Sequence, residues 1–195
     1  MNSNNSLTPK VSYLALTTAI LLLIPFIAMQ FSAEVQWSAG DFILAGALLF
    51  GTGLSYLFIT QRSERLSYQF GVGLALFAGL FLIWTNLAVG IIGSESDPFN
   101  VWYFAVIGVG ITGALVSRFK PIGLAFTMLA MILALISIVI VALSTGMHHN
   151  PISPMTEILG INGLFVVLFA ISGLFFRYAS EESLQIPSEK NHNIL

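Results

Sequence analysis

Basic charge in this 195-residue chain falls on one side of a six-fold hydrophobic pattern, and that arrangement limits the fold more than any motif does. Apolar runs occupy 11–29, 42–60, 70–93, 101–117, 122–143 and 155–176. Lys10 precedes the first run, Arg62 and Arg65 separate the second from the third, Arg118 and Lys120 separate the fourth from the fifth, and Arg177 and Lys190 follow the sixth. The other three connections hold no Lys or Arg; they carry Glu34 and Asp41, Glu95 and Asp97, and Glu157. Each run approaches the ~20 apolar residues needed to cross a bilayer. Lys and Arg are retained on the cytoplasmic side. The expectation is therefore an all-α polytopic membrane protein with six transmembrane helices and both termini in the cytoplasm. It divides into an N-tail (1–10), a membrane domain (11–177) and a polar C-tail (178–195).

Composition narrows the function classes. The chain is 56% hydrophobic and 8% charged, against roughly 25% charged residues in soluble domains, and its mean hydropathy is +0.90. Runs that are apolar all round exclude a membrane barrel, whose strands alternate in polarity. No basic patch suits nucleic acid. The absence of Cys excludes disulfides, thiolate metal sites and covalent c-type haem. The first run exceeds a signal-peptide core of about 7–15 residues and contains Pro25, so it reads as a retained helix. Thr8-Pro9, Ser38 with Asp41, and Ser153-Pro154 read as helix starts.

The third run carries Gly71, Ala75, Gly79, Asn86, Gly90 and Gly93 at helical spacing, which makes one face of small residues. Such faces let helices approach closely in lipid. Trp84 is expected on the opposite, lipid-facing side. A similar stripe, Ala47, Gly51 and Ser55, marks the second helix, and Gly110 and Ala114 mark the fourth. These three helices are expected to form the heart of the bundle.

At ~1.5 Å of rise per residue, Asn86, Asn162 and Ser137 each fall about 10 Å inside the acidic end. Pro25 frees the carbonyl of Leu21 at a similar level. This polar layer, under a rim that includes Glu95 and Glu157, has two readings. It is either a set of interhelical hydrogen bonds or the floor of an outward-open cavity for a small polar ligand or cation. Asp41 and Glu157 also complement helix N-termini with no further role. His148 and His149 lack a metal-ligand spacing, no Gly-x-Ser-x-Gly elbow or phosphate loop occurs, and no His lies within a span. No catalytic residue, metal or cofactor is expected. Trp37, Trp102 and Tyr103 read as interface anchors.

Longer stretches carry a resemblance. Ile24-Pro-Phe-Ile-Ala-Met-Gln-Phe31, Glu34-Val-Gln-Trp37, Asp41-Phe42, Gly51-Thr-Gly-Leu54 and Asn86-Leu-Ala-Val-Gly-Ile-Ile-Gly-Ser-Glu95 are the main ones. Pro98, Asn100, Tyr103, Gly113-Ala-Leu115 and Leu174-Phe-Phe-Arg177 add to them, and so does Arg118-Phe-Lys-Pro121, although Ile122 here separates Pro121 from Gly123. Over roughly residues 20–177 the chain resembles an uncharacterised family of small bacterial multi-pass membrane proteins without established activity. The resemblance implies a bacterial cytoplasmic membrane and transfers no function. Two functions are expected on the residues: a small transporter or channel for a cation or small polar solute, or a non-catalytic membrane subunit or scaffold. The lipid bilayer is the expected environment, with a second copy or another membrane protein as partner.

Overall fold

The computed structural model describes residues 7–32, 34–147 and 153–192, with side chains described through Glu182. Six helices are long and apolar enough to cross a membrane, and no strand occurs among the described residues. Helix α1 is Leu7–Phe31, α2 Ala39–Thr60, α3 Leu66–Ala88, α4 Trp102–Val116, α5 Pro121–Ser144 and α6 Met155–His192; a 3-10 turn, Pro98–Val101, precedes α4. Lipid offers no partners to backbone groups, so helices that satisfy their own are the available solution for such apolar runs. The chain divides into two compact units, one ending at Gln61 and the other beginning at Arg62.

The first unit is the α1–α2 hairpin. Helix α1 continues through Pro25 and already includes Thr8 and Pro9, with the Thr8 carbonyl accepting from the Ser12 hydroxyl at 3.0 Å. Helix α2 starts as its sequence indicates. The Ser38 hydroxyl accepts from the Asp41 amide at 3.3 Å and the Asp41 carboxylate accepts from the Ser38 amide at 2.7 Å, which closes a capping box. The hairpin seam corrects the expected stripe. Gly46 meets Leu22 and Gly53 meets Leu14, beside buried Ala45. Ala47 is exposed, a Cβ at Gly51 would meet nothing within 4 Å, and the Ser55 hydroxyl donates to the Gly51 carbonyl at 2.8 Å. These three residues lie on another face of α2 than the one turned to α1.

The second unit is a ring of four helices in which α3 packs on α6, α6 on α5 and α5 on α4, with lighter contact between α4 and α3. Its centre is therefore α6 and α5, where the small-residue stripes pointed to α2, α3 and α4. Buried positions on α6 are Ile158, Asn162, Phe165, Phe169, Ser172, Phe176 and Ala179, which alternate steps of four and three residues. Leu124, Met128, Met131, Leu135, Ile138 and Ala142 repeat that rhythm on α5. A seven-residue repeat of this kind keeps one seam facing its neighbours and gives coiled-coil-like packing.

Small residues set the close approaches between these helices. Gly71 lies against Phe175 and Phe176, and its carbonyl accepts from the Ser172 hydroxyl at 2.8 Å. Gly110 and Gly113 of α4 meet Met131 and Thr127 of α5. Ala75 and Gly79 are half-buried, Gly79 near Ile107 of α4, and Trp84 is half-buried too.

At the basic end, α4 closes on two consecutive residues with left-handed backbone, Arg118 (φ 51°) and Phe119 (φ 60°). The Tyr68 hydroxyl donates to the Phe119 carbonyl at 2.9 Å, and the Arg62 guanidinium sits 4.6 Å from the Phe119 ring centroid. Helix α6 runs well past Arg177, so the segment expected as a separate polar tail continues it as helix to His192.

Candidate functional site

Helix α3 stops at Ala88, short of the expected end of its apolar run, and this relocates the polar layer. Gly90 (φ +73°) and Gly93 (φ +70°) lie in the following loop, not on the α3 packing face. A Cβ on Gly90 would come within 2.6 Å of the Ser94 carbonyl oxygen, and one on Gly93 within 2.6 Å of the Asp97 carboxylate. Left-handed backbone with no room for a Cβ is a position for Gly alone. The loop misleads a hydropathy reading because Ile91 and Ile92 are apolar and buried without being helical.

Buried backbone outside a helix needs other partners, and Asn100 supplies them. Its Oδ1 accepts from the Ile91 and Ile92 amides, both at 3.1 Å. Its Nδ2 donates to the Ile92 carbonyl at 3.0 Å and the Ser94 carbonyl at 2.8 Å. Asp97 caps the 3-10 turn by accepting from the Phe99 amide at 2.9 Å. Ser153, just before α6, accepts from the Gly93 amide at 2.6 Å and ties the loop to the entry of that helix.

Asn86 and Asn162 attach to the same short segment through different atoms. The Asn86 Nδ2 donates to the Asn100 carbonyl at 3.1 Å. The Tyr103 hydroxyl donates to Asn162 Oδ1 at 3.1 Å, and Asn162 Nδ2 donates to the Ile158 carbonyl of its own helix at 2.8 Å. Both amides are buried. Asn86 lies two residues from the end of α3, about 3 Å along the axis, whereas Asn162 lies seven residues inside α6. Its Oδ1 is buried with no hydrogen-bond partner.

The other expected members stand apart. Ser137 is exposed, one residue off the α5 seam position Ile138, and its hydroxyl donates to the Leu133 carbonyl at 2.8 Å in its own helix. Glu95 and Glu157 are exposed. His148 and His149 lie outside the described residues. Tyr103, expected as an interface anchor, is a core residue at 1% exposure, whereas neighbouring Trp102 is exposed.

The cluster's buried groups are amides, hydroxyls and one phenol. It can fix a loop over the bundle end, set the register of α4 against α6, and accept one further hydrogen bond at Asn86 Oδ1. Sequence reasoning missed Asn100, Tyr103 and Ser153. The signal for Asn100 was present: two glycines and Asp97-Pro98 mark a turn, and an Asn within it has four hydrogen-bonding sites to offer. No family model, curated protein or solved structure matches this chain.

Proposed function

We propose that this chain is a non-catalytic subunit or scaffold of a bacterial cytoplasmic membrane, with both termini in the cytoplasm. It acts by offering helix faces to partners within the bilayer. One observation carries the reading: the buried amides Asn86, Asn100 and Asn162 are hydrogen-bonded within the bundle, and of their polar atoms Asn86 Oδ1 alone lacks a partner. Asn162 occupies a seam position of α6 and takes the Tyr103 hydroxyl, as a polar residue that fixes register does. Asn100 is spent on loop backbone, and Asn86 on Asn100. The face of α2 that carries Ala47, Gly51 and Ser55 has the composition of a helix-association surface. The basic-residue distribution supports the orientation.

The test is made in native membranes. The tagged chain, extracted in mild detergent, should run as an assembly of defined stoichiometry above monomer mass. Proteoliposomes of the purified chain should pass Na⁺, K⁺ and protons no faster than empty vesicles. Saturable flux that Asn162→Leu abolishes in a folded protein would overturn the reading. It would also establish the second one, a small transporter or channel for a cation or polar solute, which the partnerless Asn86 oxygen favours.

A further inference from the structure

We propose that the groove between α3 and α6 at the basic end holds one phospholipid with a primary-ammonium headgroup, its acyl chain against the helices and its headgroup across Arg177 and Glu181. The groove has a volume of about 740 Å³, with Phe70, Ile171, Leu174 and Phe175 along it and Arg177 and Glu181 at its mouth.

Its chemistry changes along its length. Phe70 and Phe175 stack with ring centroids 6.0 Å apart, and Ile171 and Leu174 are exposed beside them. These residues belong to membrane-spanning segments, where the available filling is hydrocarbon. Towards the basic end the lining turns polar, with exposed Tyr178 at the level where amphipathic rings meet headgroups.

Arg177 and Glu181 are one helical turn apart and 3.7 Å from each other, with side chains 67% and 63% exposed. The two form an exposed ion pair, longer than a hydrogen bond, which a headgroup of both signs would open and take over charge for charge. Their neighbours are committed inside the bundle: Arg65 donates to the Ala179 carbonyl at 3.1 Å, and Ser67 donates to Glu182 at 2.9 Å. A cation and an anion at one groove mouth complement a headgroup that carries both signs. Phosphate takes the guanidinium. A primary ammonium donates to the carboxylate, which a quaternary ammonium, having no N–H, cannot do. An anionic lipid would meet Glu181 as a like charge.

The full chain, purified in detergent, is incubated with equimolar phosphatidylethanolamine, phosphatidylglycerol and phosphatidylcholine of matched acyl chains. Native mass spectrometry then reads the lipid retained. Phosphatidylethanolamine should be retained over each of the others by about fivefold, the scale of one exposed charge pair. Glu181→Gln should erase the preference over phosphatidylglycerol, and Arg177→Gln should lower retention of both. Leu174→Trp should reduce retention of all three, whereas Leu133→Trp, on the exposed face of α5, should change nothing. Equal retention of the three lipids by the unaltered chain, a preference for phosphatidylglycerol, or an unchanged preference in a folded Glu181→Gln protein would each overturn the proposal.

Discussion

The bond between Tyr103 and Asn162 offers the most direct measure of how the second unit is held. Both side chains are buried, at 1% and 2% exposure, and the phenol donates to Asn162 Oδ1 at 3.1 Å. Tyr103→Phe deletes the donor and leaves that oxygen without a partner. Interhelical hydrogen bonds in membranes average about 0.6 kcal/mol with a maximum near 1.7, and an orphaned buried acceptor costs about 1–3 kcal/mol. The expected loss is about 1 kcal/mol. Asn162→Leu leaves the phenol hydroxyl stranded and should cost a similar amount. The double variant puts apolar groups on both sides of the contact, and replacing both partners approaches neutrality. The double variant should therefore lose less than the sum of the two single losses, by about 1–2 kcal/mol. Reversible unfolding in mixed micelles, followed by circular dichroism, gives all four corners of the cycle. Additivity within about 0.3 kcal/mol would refute the claim that this pair fixes the register of α4 against α6.

Asn100→Ala removes the side chain that satisfies two amides and two carbonyls of the loop; it should destabilise the unit by roughly 2–4 kcal/mol, water at the bundle end offsetting part of the loss, and speed amide exchange at Ile91 and Ile92. Gly90→Ala should cost at least ~1–2 kcal/mol from backbone alone, while Gly51→Ala, where a Cβ meets nothing within 4 Å, should stay within about 0.5 kcal/mol in the same unfolding assay. Gly79→Leu should lose roughly 1–3 kcal/mol by overpacking against Ile107. For orientation, a single thiol introduced at Ser96 should react with an impermeant reagent from outside intact cells and one at Ser63 only after lysis; the reverse pattern would invert the proposed topology.

The spans were legible because one-dimensional hydropathy decides them, and the Ser38–Asp41 capping box because it is local. Azimuth was harder. Depth alone does not locate Ser137, because one residue of rotation turns it off the α5 seam. The seven-residue repeat from Ile158 to Ala179 was present in the sequence, yet its positions mix Phe, Asn, Ser and Ala, so an eye seeking small residues passes over it. Gly90 and Gly93 read as helix because they sit at helical spacing from Gly79 in an apolar run. Only the long-range partners of that loop, Asn100 and Ser153, turn it out of the helix, and such pairings leave no local periodicity. Tyr103 shows the same limit: a tyrosine at a helix end serves interface or core according to what lies across from it, here Asn162.

The turn after α4 sets stability and insertion against each other. Arg118 and Phe119 hold backbone that Gly would adopt without steric penalty, at a cost of roughly 1–2 kcal/mol each. Arg118→Gly should raise the unfolding midpoint. The same change removes one of the cations that bias this connection to stay on its side during insertion. A chain engineered for heat resistance at this turn would thus become easier to insert the wrong way round, and the two properties should trade off across variants at this single residue.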